Sequence, residues 1–170
     1  MKGRRLPEVI TEEQLLKVIE AEPKQKYKFA YALGFYQCLR VSEVIKLNPE
    51  HIDKGQKLLF IKEAKGHKDR NIPIAPEIWK GLKLIPIGCS IRSLQRNFKE
   101  AGLKAINKDL HFHCLRHSGI THYLNKKRWD IRQLQRLAGH SKISTTEIYA
   151  HVKPEDLVNK MWESSPNTTE

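Results

Sequence analysis

Between Asn48 and Ile74 the hydrophobic period of this 170-residue chain changes, and that change limits the folds open to it. Before Asn48-Pro49 the apolar residues recur at helical spacing. Leu15, Leu16, Val18 and Ile19 supply one apolar side, and Phe29, Leu33 and Tyr36 the next. After it, residues 51–53, 57–62 and 70–74 read as three short strands, parted by turn-rich segments at 53–56 and 64–69. Pro73 has no N–H to give a ladder, which puts the last strand at a sheet edge. From Pro76 onward the helical period returns. The pattern predicts a mainly α domain with a small three-stranded antiparallel sheet.

Caps and breakers set the helix limits. Thr11 and Gln14 have capping-box spacing and open a helix to about residue 21, which Pro23 ends. Further helices are expected at 26–39 and 42–46, and from Pro76 to about 80. The segment 90–101 is amphipathic, with Ile91, Leu94 and Phe98 inward and Gly102 as its stop. Residues 113–125 and 130–138 follow, the latter with Ile131, Leu134 and Leu137 on one face. Gly139 falls where a helix commonly stops, because glycine accepts the left-handed conformation. Ser144 and Glu147 repeat the capping-box spacing and start another helix, and Pro154 suits the first turn of a last one, to about 162. This grammar puts His140 on a tight link and Tyr149 near the second turn beyond it.

The chain carries 31 Lys plus Arg against 19 Asp plus Glu, a formal net charge of +12 spread along its length. A basic globular surface of that kind suits a polyanion, and nucleic acid is the usual one. Cys38, Cys89 and Cys114 are odd in number and unpaired in spacing, which points to a reducing, cytoplasmic setting. No apolar run approaches the length of a membrane span.

Several residues could carry chemistry, and each has a plainer use. Arg40 follows an apolar helix and needs anionic company, either Glu43 or a phosphate with Glu43 orienting the guanidinium from behind. Lys65 sits in a glycine-containing turn, as a solvated lysine or as a finger that delivers a proton. His113 and His117 are spaced i, i+4 near Cys114 and His122, so zinc is conceivable, but no Cys pair or second ligand group accompanies them. The phosphate reading instead uses His113 and Arg116, which share a helix face at i, i+3, and leaves His117 to pack inward. Tyr149 is either a core residue with a wet hydroxyl or a nucleophile.

In this order, Arg40, Lys65, His113-x-x-Arg116, His140 and Tyr149 resemble the tyrosine recombinase (phage integrase) family, particularly its Xer-type members. The matching segments are Leu39-Arg40-Val41-Ser42-Glu43, residues 65–74, His113-Cys114-Leu115-Arg116-His117, and residues 137–140 and 148–151, so the resemblance spans about residues 7–160. It implies a site-specific DNA recombinase. Tyr149 would attack a DNA phosphodiester and form a 3′-phosphotyrosyl bond, with no metal or nucleotide cofactor. By the same resemblance Arg40, Arg116 and His140 bind the non-bridging oxygens, His113 assists proton removal from Tyr149, Lys65 is the general acid, and Glu43 supports Arg40. Double-stranded DNA is the implied partner and a tetramer on DNA the implied assembly. The organisation expected is a basic arm at 1–6, a catalytic domain at 7–163 and a polar tail at 164–170, without the family's N-terminal core-binding domain. A non-catalytic DNA-binding domain and a type IB topoisomerase-like enzyme are the alternatives. Cys38 departs from the family, which commonly has glycine before Leu-Arg, and residues 154–162 resemble the element that docks on a neighbouring protomer. His140 is expected in a fixed cradle and Tyr149 on a mobile part.

Overall fold

The computed structural model describes residues 8–62 and 69–139. The arm at 1–6, Lys65, His140, Tyr149, the helices expected from Ser144 and Pro154, and the tail lie outside the described residues.

Among the described residues, six α-helices and three strands follow one another in the order the period changes predict. Helices α1 (Glu12–Ala21), α2 (Gln25–Tyr36) and α3 (Val41–Lys46) precede strands β1 (Ile52–Asp53), β2 (Leu58–Ile61) and β3 (Arg70–Pro73). Helices α4 (Ile91–Ile106), α5 (His113–Asn125) and α6 (Ile131–Ala138) follow. Short 3₁₀ helices at Pro49–His51 and Pro76–Leu84 lead into and out of the sheet. The sheet is antiparallel in the order β1-β2-β3, which leaves β3 and its Pro73 at an edge. Leu59 of β2 faces Ile72 of β3, and both are buried.

Helix α2 is the centre of the core. It is apolar on all sides, as a helix wrapped by others must be, and Phe29, Ala30, Tyr31, Leu33, Phe35 and Tyr36 are all buried. It packs against α5, α4, α1 and the Pro76–Leu84 helix. Tyr31 sits edge-on to Phe98 of α4, ring centroids 4.9 Å apart, and its hydroxyl donates to Glu22 Oε2 at 2.6 Å. The phenol is thus satisfied while its ring contributes to the core.

The capping box expected at Thr11 and the stop expected at Gly139 both form, and α6 opens on a further, unexpected box. Thr11 Oγ1 accepts from the Gln14 N–H and Gln14 Oε1 from the Thr11 N–H. Asp130 and Gln133 make the same reciprocal pair at the start of α6, and Gly139 closes that helix at φ 68°. Such a cap is worth about 1 kcal/mol.

Some limits differ from expectation. Helix α2 stops at Tyr36, short of Leu39, because Cys38 takes the left-handed conformation at φ 51°. Gly102 lies inside α4, which runs on to Ile106 and ends at left-handed Asn107. There glycine is needed for closeness: a Cβ would stand 2.9 Å from Leu110 Cδ1. Ile91 at the start of α4 is exposed and does not face the core, and Leu16 of α1 is exposed too. His51 belongs to the 3₁₀ turn ahead of β1. The helix from Pro76 runs to Leu84 in 3₁₀ form.

Candidate active site

The site begins with a close approach of two helices. Gly119 of α5 lies so near the end of α2 that a Cβ there would be 2.0 Å from the Phe35 carbonyl oxygen and 2.9 Å from Cys38 Sγ. The chain leaves α2 through the left-handed turn at Cys38, and the Cys38 carbonyl comes to face α5. Arg116, one turn before Gly119, donates from Nη1 to that carbonyl at 2.6 Å and from Nη2 to the carbonyl of Ala138 at the end of α6. Its side chain is 1% exposed. Two of its five N–H donors are used in this way, which fixes the guanidinium plane. Burial, and then the positive charge of Arg40, lower its pKa to about 10; it stays charged at neutral pH.

Glu43 is the only acid that these cations share among the described ion pairs. It is buried on α3 and accepts from the Arg40 N–H at 2.7 Å and from Arg40 Nη1 at 3.2 Å. Arg116 Nη1 is 3.9 Å from Glu43 Oε2. Arg70, the first residue of β3, holds both carboxylate oxygens, Nη1 to Oε1 at 3.0 Å and Nη2 to Oε2 at 3.4 Å. Burial pushes the Glu43 carboxyl up, but the bonds and charge of Arg70, the Arg40 N–H and the charge of Arg116 outweigh it and hold the pKa below the ordinary carboxylate value. Glu43 is thus the anionic company that Arg40 requires, and the Arg40 side chain remains 33% exposed.

His113 is exposed at the first turn of α5, with its ring edge-on to that of His117 at 4.3 Å between centroids. Desolvation by its surroundings, and then the charges of Arg116 and Arg40, hold its pKa below the ordinary imidazole value. It is therefore largely neutral at neutral pH and able to accept a proton. His117 is only partly buried, at the edge of the site and not in the core as its pattern suggests. Burial, His113 and Arg116 lower it to about 4. Among the described residues no group of three His, Cys, Asp or Glu side chains is placed to hold a metal.

Four predicted residues are thus brought together: Arg40, Glu43, His113 and Arg116. Lys65, His140 and Tyr149 lie outside the described residues. Arg70 was not among the expected site residues. Its signal was there, because it shares a strand face with buried Ile72 at i, i+2, and an arginine on a buried face requires an anionic partner.

Among the described ion pairs, three guanidinium groups share the Glu43 carboxylate, and a cluster of such planar donors suits an anion with several oxygens. The fold and this site define a mainly helical domain with a partly buried arginine cluster suited to an anion. The sequence pattern of the phage integrase family matches residues 88–156. A tyrosine recombinase of Thermosipho africanus is 32% identical over 182 residues, covering 93% of this chain and 63% of that protein. XerA of Pyrococcus furiosus is 34% identical over 175 residues, covering 91% and 60%. The crystal structure of a XerA recombinase superposes with a TM-score of 0.77 at 26% identity, over 95% of this chain and 66% of that one. A XerH recombinase bound to its difH substrate shares the fold at 23% identity, over 95% and 55%, with a TM-score of 0.68. The chain belongs to the tyrosine recombinase (phage integrase) family, with Xer-type members among its relatives. It spans about 60% of the length of the curated relatives it matches.

Proposed function

We propose that the chain is the catalytic domain of a site-specific DNA recombinase, spanning about residues 7–163, that cleaves and rejoins DNA through Tyr149. The observation that carries this reading is the gathering of Arg40, Arg70 and Arg116 at Glu43, with His113 beside them. The Tyr149 oxygen attacks phosphorus, the P–O5′ bond breaks, and a 3′-phosphotyrosyl bond remains. His113 takes the phenolic proton, and Lys65 gives one to the departing 5′ oxygen. Arg40 and Arg116 hold the non-bridging oxygens, joined by His140, as negative charge gathers there in the transition state. A phenol has an ordinary pKa of about 10, and nearby cations favour its ionised form. The phosphotyrosyl bond keeps the energy of the broken diester, so attack by a 5′-hydroxyl reverses the step.

Double-stranded DNA is the proposed substrate and a tetramer on DNA the proposed working assembly. A XerH site-specific recombinase that shares the fold has been crystallised bound to difH substrate in pre-cleavage and post-cleavage complexes. No described helix is long and apolar enough to cross a membrane.

The test is covalent capture. The protein is incubated with a pool of nicked duplexes of randomised sequence, and adducts that survive denaturation are isolated and sequenced. An adduct is expected with the unaltered chain and none with Tyr149→Phe. An adduct that persists in that variant sinks the assignment of the nucleophile. Binding without any adduct would favour a non-catalytic DNA-binding role.

A further inference from the structure

We propose that Arg70 is a positioning residue of the phosphate site, holding Glu43, and through it Arg40, while fixing the end of α6 immediately ahead of His140. The inference rests on the strand-transfer reading above and adds a residue to it. The Arg70 guanidinium grips both oxygens of Glu43, and its Nε donates to the Leu137 carbonyl at 3.2 Å. Its side chain is only 11% exposed. A planar fork of fixed donors suits this task, and a lysine could not reproduce it. Glu43 in turn holds both the N–H and the guanidinium of Arg40. The adjoining carbonyl of α6, that of Ala138, belongs to Arg116. Arg70 and Arg116 therefore clamp consecutive carbonyls of one helix end, and both face the same carboxylate.

The strand that carries Arg70 is fixed at its other end as well. Gln37, 1% exposed, donates from Nε2 to the Pro73 carbonyl at 3.0 Å and accepts from the Ala75 N–H at 3.2 Å. β3 is thus anchored at one end to Gln37, the residue just past α2, and at the other to α3 and α6. Arg70 also lowers the Glu43 pKa, which keeps the carboxylate ionised and able to orient Arg40.

The experiment compares the unaltered chain with Arg70→Ala, Arg70→Lys and Glu43→Gln, using the nicked duplex recovered by covalent capture. Adduct formation is followed in single turnover at saturating DNA, alongside half-saturation and thermal unfolding. Arg70→Ala is expected to slow adduct formation by about 100-fold, as small misplacements of catalytic groups do, with less than about threefold change in half-saturation. Arg70→Lys should fall between, and added guanidinium ion should restore part of the rate to Arg70→Ala. Should Arg70→Ala fail to fold, Arg70→Lys and Glu43→Gln carry the same test. A change confined to half-saturation would overturn the proposal, because it would make Arg70 a DNA contact. An unchanged rate would overturn it too.

Amide hydrogen exchange separates this proposal from the reading it rests on. Arg70→Ala should speed exchange of the Arg40 N–H by about tenfold, as expected when a charge-assisted bond weakens. Absence of any adduct with the unaltered chain would overturn strand transfer, and the exchange result would still decide for or against Arg70.

Discussion

At the scale of single residues, the site is a problem of keeping charges and protons where the reaction needs them. Arg116 is buried and cationic at neutral pH, and its neighbour His113 is pushed toward the neutral form by desolvation and by Arg116 and Arg40. A general base must be unprotonated and near its task in pKa. The depressed value means that His113 accepts protons not only at neutral pH but somewhat below the ordinary imidazole pKa of about 6.5. The rate of adduct formation should therefore hold on mild acidification and fall only as pH drops through the lowered His113 value. In His113→Gln the rate should drop by about 10²-fold or more, the usual contribution of a positioned base, and that acid limb should vanish. A single-turnover pH profile of both proteins is the check. An unchanged limb in the variant would assign the titration elsewhere, His117 being the nearest other imidazole.

Among elements, the contact of α2 with α5 decides whether the arginines meet. Gly119→Ala would drive a methyl into the Phe35 carbonyl oxygen, 2.0 Å from the ideal Cβ, and that obstacle is backbone that cannot rotate aside. Overpacking of this kind costs about 1–3 kcal/mol and sometimes more. We expect about 3 kcal/mol, read as a lowered midpoint in chemical denaturation, together with loss of adduct formation as the Cys38 carbonyl leaves Arg116. Much of this architecture was legible in the sequence. The period changes at Asn48 and Pro76 gave the sheet its place, and Thr11 and Gly139 marked helix ends by local hydrogen bonding and backbone freedom. What was not legible came from tertiary contact. Gly102 reads as a stop but serves closeness to Leu110, while Asn107 takes the left-handed turn. Cys38 by its own residue type gave no sign that it would end α2, since left-handed backbone is uncommon outside glycine, asparagine and aspartate; only the glycine common at this place in the resembling family pointed there. Arg40, Glu43, His113 and Arg116 were legible as a set only through a family resemblance. Arg70 was hidden, because its role depends on Glu43 and Leu137 arriving from distant segments.

For the whole molecule, acid should be destabilising, and the reason lies in groups that fold into unusual protonation states. His117 is lowered to about 4 by burial, His113 and Arg116. His122 is also lowered, first by burial, with Lys127 and Lys126 adding to the shift and Glu12 and Glu77 opposing it. Its Nε2 is buried without a hydrogen-bond partner, and its ring lies 5.3 Å from that of Phe35 and 5.7 Å from that of Tyr123. A base with a lowered folded-state pKa binds its proton more readily in the unfolded chain, so unfolding takes up protons as pH falls. Its stabilising contribution is complete above about 6.5 and is lost as pH falls toward the folded-state value, near 4 for His117. Glu43 works in the same direction at lower pH, because its lowered pKa favours the carboxylate of the folded state above the ordinary carboxylate range. No term from these three groups opposes the trend. Unfolding free energy from urea titrations should therefore decline between pH 7 and 4, by about 2 kcal/mol for His117 alone. His117→Asn should flatten that decline, while His122→Gln should flatten its upper part and leave the Glu43 portion in place. A stability that rose on acidification through this window would mean that the imidazoles are charged in the folded chain.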